Sequence, residues 1–221
     1  MPKAHSQTGR TAEGRANPLS PWRKAPRQAR SAATVDAIFE ATVQVLLAEG
    51  TARLTTTRVA ARAGVSIGTM YQYFPNKRAL LLALFDRHMG SVVDAVEAAC
   101  VVSHGEPLTE IAQALVAAFM AMVQSRPQES QAAFSLTGEP ENAALLRIVT
   151  DRIACAVGEV LTNAADASFE HPADVAMTLT SAMAGAARSL IEHGLAPARV
   201  TAQGRQLVLM LKGYLEAAKT N

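Results

Sequence analysis

The chain has 221 residues, of which 49% are apolar, 18% charged and 5% aromatic. That is enough for one large domain, or a small one joined to a larger one, around a sizeable core. Two cysteines, Cys100 and Cys155, make no disulfide framework and read as buried apolar thiols, while abundant Ala and scarce β-branched runs favour a helical protein over a sheet protein. The net charge of +2 hides an asymmetry: residues 1–80 carry 12 Lys and Arg against 4 Asp and Glu, and residues 81–221 carry 9 against 15, so a polyanionic partner is expected at the front alone.

Residues 1–30, with Pro2, Pro18, Pro21 and Pro26 among Ser, Gly, Arg and Lys, lack the apolar content to order themselves and read as a flexible basic arm. Arg23, Lys24, Arg27 and Arg30 would be its phosphate or minor-groove contacts. The arm has no apolar block, which argues against a secretory signal. No later segment reaches the roughly 18 uncharged apolar residues of a membrane helix; the nearest lies between Glu110 and Arg126. No membrane partner is expected, and the cytoplasm is the expected compartment.

From Ser31 the apolar period becomes 3.6, with Val35, Ile38, Phe39, Thr42, Val45 and Leu46 on one face and Gly50 as a stop. A second helix follows a Thr N-cap, buries Val59, Ala60 and Ala63, and ends at Gly64. Ser66 caps a third, in which Ile67, Met70, Tyr71 and Phe74 are spaced i, i+3, i+4, i+7 and are expected to face inward. Pro75 ends it and Asn76 caps a fourth. Three short helices, the last two joined by a tight Gly-containing turn, make a helix-turn-helix unit. Its outward set on the third helix is Ser66, Gly68, Thr69, Gln72 and Tyr73. Gly68 costs roughly 1 kcal/mol of helix propensity, which makes sense where the backbone must approach a partner closely.

The remainder predicts further helices from Leu108 to Gln124, over "QESQAAFSL", from "GEP" through "ENAALLRIVTDRIACAVGEVLTNAA", and over two last segments separated by Gly194 and Pro197. The total is about nine, an all-α fold. Residues 175–187 carry no charge, and Leu207 to Leu211 is an unbroken apolar run followed by Tyr214 and Leu215. A helix apolar over more than one face must bury more than one face. The last two helices are therefore expected to form a homodimer interface related by a two-fold axis.

The block "LTTTRVAARAGVSIGTMYQYFPNKRALL" resembles the TetR family of bacterial transcriptional regulators, through Thr56, Val59, Ala60, Ala63-Gly64-Val65-Ser66, Gly68-Thr69, Tyr71, Tyr73-Phe74, Lys77 and Leu80. The resemblance covers about 55 residues, Ser31 to Phe85; beyond them it extends only to helix count and order. It implies an arm over residues 1–30, a helix-turn-helix DNA-binding domain over 31–80 and a helical ligand-binding and dimerisation domain over 81–221. It further implies phosphate contacts from Thr56 and Thr57 at a helix start, a phosphate or base contact from Arg58, and a phosphate clamp at Lys77. Ser66, Gly68, Thr69, Gln72 and Tyr73 fall on recognition positions, with Gln72 suited to an adenine edge and the Thr69 methyl to thymine. Tyr71 falls on a position whose hydroxyl reaches phosphate while its ring packs inward, and Ile67 keeps its core reading.

The same resemblance implies a small-molecule effector in the C-terminal domain that releases a repressor from its operator. Phe119, Met122, Phe134 and Met177 are the candidate lining residues, with His88 and His104 as possible polar anchors. An enzyme or metal carrier fits poorly. The five histidines show no Glu-x-x-His or i, i+4 His pairing, and neither a phosphate loop nor a nucleophile elbow appears, so no cofactor or metal is expected.

Overall fold

A computed structural model describes residues 29–193 and 196–220, so all but the last two residues of the expected arm over residues 1–30 lie outside the described residues. Among the described residues nine α-helices run in order: α1 Ala29–Arg53, α2 Thr56–Ala63, α3 Ile67–Tyr73, α4 Lys77–Val102, α5 Leu108–Ser125, α6 Pro127–Ser135, α7 Ala143–Thr162, α8 Pro172–Glu192 and α9 Pro197–Ala218. No strand occurs among the described residues; an isolated bridge joins Ser168 to Thr220.

Local signals set most boundaries. Thr55, Ser66 and Asn76 each accept a backbone N–H of the first turn of the helix that follows, as their positions predict. Gly64 closes α2 in the left-handed region at φ 68°, where a side chain would be strained. Gly50 behaves less simply than a stop: at φ 77° it breaks α1, and one further turn follows to Arg53. The helix expected to restart at "GEP" instead begins with a 3₁₀ turn, Pro140–Asn142, before α7. Buried Asn142 anchors that turn by donating to the Leu136 carbonyl at 2.8 Å. The start of α5 is capped from a distance, since the Leu108 N–H donates to Asp166 Oδ1 at 2.8 Å.

Two apolar cores meet along α4. The first joins α1, α2 and α3 to the front half of α4, to Ala132, Ala133 and Leu136 near the end of α6, and to Leu145 and Val149 of α7. Phe39 and Phe74 pack there with ring centroids 5.5 Å apart, a tilted aromatic pair. The second joins the rear of α4 to α5, the rear of α7, α8 and α9. α9 lies along α5, and α8 along α7.

Two expectations need correction. Ser31–Arg53 and Leu108–Ser125 are long and apolar enough to cross a membrane by length and composition alone. They pass because they are rich in Ala as well as in larger apolar residues, and apart from Leu47 and Met122 those larger side chains are buried in the two cores. Cys100 is buried, and burial is the main cause pushing its thiol up to about 11. Cys155 is exposed.

Candidate functional site

The second and third helices are held by a compact turn. Val65 N–H donates to the Ala60 carbonyl at 3.0 Å, and Gly64 N–H to that of Ala61 at 3.3 Å. Ser66 Oγ accepts from Thr69 N at 3.0 Å and lies 2.8 Å from Thr69 Oγ1, so its hydroxyl is engaged in the cap. Met70 and Phe74 are fully buried, as expected.

The rest of α3 is turned from its expected phase. Ile67 and Tyr71, assigned inward, are 40% and 43% exposed, while Tyr73, assigned outward, is half-buried with its ring 6.4 Å from that of Phe74. Thr69 is half-buried as well. The solvent face of α3 is thus Ile67, Gly68, Tyr71 and Gln72, with Ser66 at its foot. Phe74 sits past the end of the helix in extended backbone, at φ −125°, so it does not mark the helix's buried stripe. Counting it placed the stripe one residue's rotation, roughly 100°, from where it lies. A Cβ added to Gly68 would meet only Ser66 Oγ, at 3.7 Å, so nothing inside the protein requires glycine there.

Of the expected phosphate contacts, Thr56 reaches Tyr71 of α3, while Arg58 and Lys77 are bonded to the end of α1. Thr56 is buried with its hydroxyl 3.3 Å from Tyr71 Oη, and Thr57 is exposed. Arg58 is paired with Glu49 and also donates to the Arg53 carbonyl at 3.3 Å. Lys77, half-buried, donates through Nζ to the Thr51 carbonyl in the turn after Gly50.

Between the two cores lies a cavity of about 380 Å³, walled by α4, α5, α6, α7 and α8. It contains three of the expected lining residues, Phe119, Met122 and Phe134. Met177 is a correction: it is 38% exposed, on a shallow depression beside Cys155 and Gly158. The wall on α8 runs from Leu179 to Ile191, and Met177 lies N-terminal to it. His104 is exposed and lies elsewhere, whereas His88 lines the cavity.

His88 is 6% exposed, and its Nδ1 has no hydrogen-bond partner. Burial pulls its pKa down from 6.5 to about 4; Arg126 and Arg87 push the same way and Glu129 opposes them. His88, Val92 and Val96 recur every four residues, a stripe on α4 that was readable in advance as a wall facing one neighbour. Arg87, one residue before, binds Asp36 of α1 at 2.7 Å and Glu129 of α6 at 3.1 Å and covers the Phe39 ring at 4.5 Å. α6 itself lends Phe134 to the cavity and Ala133 to the first core, so one short helix borders both.

With this geometry in view, the likenesses to known proteins are specific. Residues 38–84 match the model of bacterial regulatory proteins of the tetR family, and residues 107–215 match a tetracyclin repressor-like C-terminal domain. A fatty acid metabolism regulator protein of Bacillus subtilis is 37% identical over 60 residues, 27% of this chain and 31% of that protein. Among solved structures, the fatty acid degradation regulator FadR of Bacillus halodurans superposes with a TM-score of 0.67 at 20% identity, over 86% of this chain and 96% of that one. SmeT, solved in complex with triclosan, also gives 0.67, at 18% identity over 86% and 93%. Matched at both ends by the two domain models and along most of its length by the fold, the chain belongs to the TetR family of bacterial regulatory proteins.

Proposed function

We propose that this protein is a dimeric DNA-binding transcriptional regulator, a repressor released from its operator by a small molecule bound in the cavity between α4 and α8. The observation that carries the DNA-binding part is the exposed face of α3. A seven-residue helix that presents Ile67, Gly68, Tyr71 and Gln72 to solvent wastes apolar surface unless a partner covers it. Gln72 suits an adenine edge and Ile67 a thymine methyl, and Gly68 lets the backbone come close. Thr57, Tyr71, Arg58 and Lys77 surround that face as phosphate contacts, the two cations exchanging their internal partners for DNA. Ser66, Thr56, Thr69 and Tyr73 position the helix rather than read bases.

Residues 1–30 serve as an arm, 31–80 as the DNA-binding domain and 81–221 as the effector and dimerisation domain, acting in the cytoplasm. Regulators of this family act by binding operator DNA, not by catalysis, and they dimerise and bind small molecules. SmeT's complex with triclosan supports a small-molecule occupant here, and the cavity supplies the room. The effector shifts the equilibrium only by binding the DNA-incompetent arrangement more tightly. Because α6 borders both the cavity and the first core, and Arg87 next to His88 ties α4 to Asp36 of α1 and Glu129 of α6, a wall that moves at Phe134 or His88 is expected to shift α1.

A footprint on DNA flanking the gene locates the operator, and anisotropy titrations then test the reading. Gln72→Ala is expected to cost about 1–3 kcal/mol on the operator and nothing on a scrambled duplex. Lys77→Ala is expected to weaken both duplexes and lower the salt slope by about one. Equal loss on both duplexes for Gln72→Ala would remove it from base reading, and no footprint at all would sink the regulator.

A further inference from the structure

The chemistry of the cavity wall narrows what it can hold. The lining is apolar apart from His88, Arg188 and four hydroxyl residues, Ser130, Thr137, Thr150 and Thr180. Three of those hydroxyls have spent their only proton on their own backbone: Thr137 on the Phe134 carbonyl at 2.8 Å, Thr150 on that of Leu146 at 2.9 Å and Thr180 on that of Ala176 at 2.8 Å. They offer a ligand acceptor lone pairs and no donor.

An anionic ligand would need a buried cation or several N–H donors. Arg188 is the one charged residue on the wall among those described, and it stands at the rim with its side chain 68% exposed. It is held by Glu192 at 3.0 Å and lies 5.6 Å from the centre of the Phe134 ring. The cations nearest His88 are likewise paired, Arg87 with Asp36 at 2.7 Å and with Glu129 at 3.1 Å, and Arg126 with Glu129 at 3.3 Å. What remains on the wall is His88, a residue 6% exposed whose Nδ1 is buried and has no hydrogen-bond partner. An unsatisfied ring nitrogen in an apolar wall marks a position where a ligand atom completes the hydrogen bonding.

We infer that the cavity takes an uncharged, largely apolar molecule carrying a hydroxyl, an alcohol or a phenol, with that hydroxyl on His88 Nδ1. A hydroxyl both donates and accepts, so it satisfies either imidazole tautomer, and where Nδ1 carries the ring proton the hydroxyl's own proton is free for an acceptor of Thr150 or Thr180. A carboxylate brings acceptors only, and would face the three spent threonine hydroxyls with a full charge to desolvate. The depressed proton affinity of His88 supports this, because the ring stays neutral and supplies no counter-charge near neutral pH. The inference rests on the effector reading above and specifies its ligand class.

The test compares three molecules of one shape at pH 7.5, 4-butylphenol, 4-butylbenzoic acid and butylbenzene, by calorimetric titration and thermal midpoint of the full chain. The phenol is expected to bind about tenfold or more tightly than either companion and to weaken operator binding. In His88→Phe, which keeps the wall apolar, the phenol is expected to fall to the level of butylbenzene while butylbenzene itself still binds; that retained binding reports an intact fold. Tighter binding of the acid, a phenol preference that survives His88→Phe, or no binding by any of the three overturns the assignment. Operator binding by the unmodified protein without any probe is measured alongside. Its absence would fell the regulator reading, whereas its presence with a failed probe series fells only the ligand class.

Discussion

At the scale of the single residue, His88 shows how a binding wall costs stability. A neutral imidazole buried without a partner at Nδ1 is tolerated only while it stays unprotonated. Its folded pKa is about 4 against 6.5 when free, with burial the leading cause. Between those values the unfolded chain holds a proton that the folded chain refuses. Stability from this group is therefore complete above about pH 6.5 and lost as pH falls toward 4, by about 3 kcal/mol in all. Urea unfolding from pH 7 to 4.5 measures it: the unmodified protein should lose that much more than His88→Phe over the window. Parallel pH curves for the two proteins would mean the folded ring takes up its proton as readily as the free one.

At the scale of the element, α3 shows both the reach and the limit of sequence reading. Its ends were legible because caps are local chemistry: Ser66 before it, and Asn76 opening α4, needed only their immediate neighbours. Its phase was not. Two turns carry too few apolar positions to fix a stripe, and Phe74 belongs to the core by a route that leaves the helix. The cavity was half legible for a related reason. Residue type picked out Phe119, Met122 and Phe134, but a cavity is a volume left unfilled among five helices, and no spacing reports that. Asp166 capping α5 from 58 positions away was invisible on the same ground. Gly68 was legible as a helix-weakening residue in want of a reason, and its surroundings sharpen the test. With only an ordinary 3.7 Å contact for a new Cβ, Gly68→Ala should raise the free protein's stability by up to about 1 kcal/mol. If α3 lies in a groove, the same change should weaken operator binding tenfold or more. A more stable protein with unaltered DNA affinity would show that the backbone at Gly68 never comes near the duplex.

At the scale of the whole molecule, the last two helices carry more apolar surface than one chain can cover. On α9, Leu207, Leu211 and Leu215 are buried along one side, and the intervening Leu209 and Met210 stand 63% and 45% exposed on the other. On α8, exposed Met177 adds to that surface, with the small exposed Ser181 one turn on. A second copy placed on a two-fold axis would bury both faces at once and present two α3 helices to successive turns of a duplex, roughly 34 Å apart. Leu209→Glu separates this from a monomer that tolerates a greasy back. Each copy would lose the burial of a leucine, worth about 1.5–3 kcal/mol, and the two glutamates would face one another across the axis. Dimer dissociation should then rise by about 100-fold or more, seen by sedimentation equilibrium, with operator affinity falling alongside it. Since Leu209 touches little within its own chain, the thermal midpoint extrapolated to low concentration should not change. A variant that sediments as the unmodified protein does and still grips its operator would place the two-fold axis on some other face.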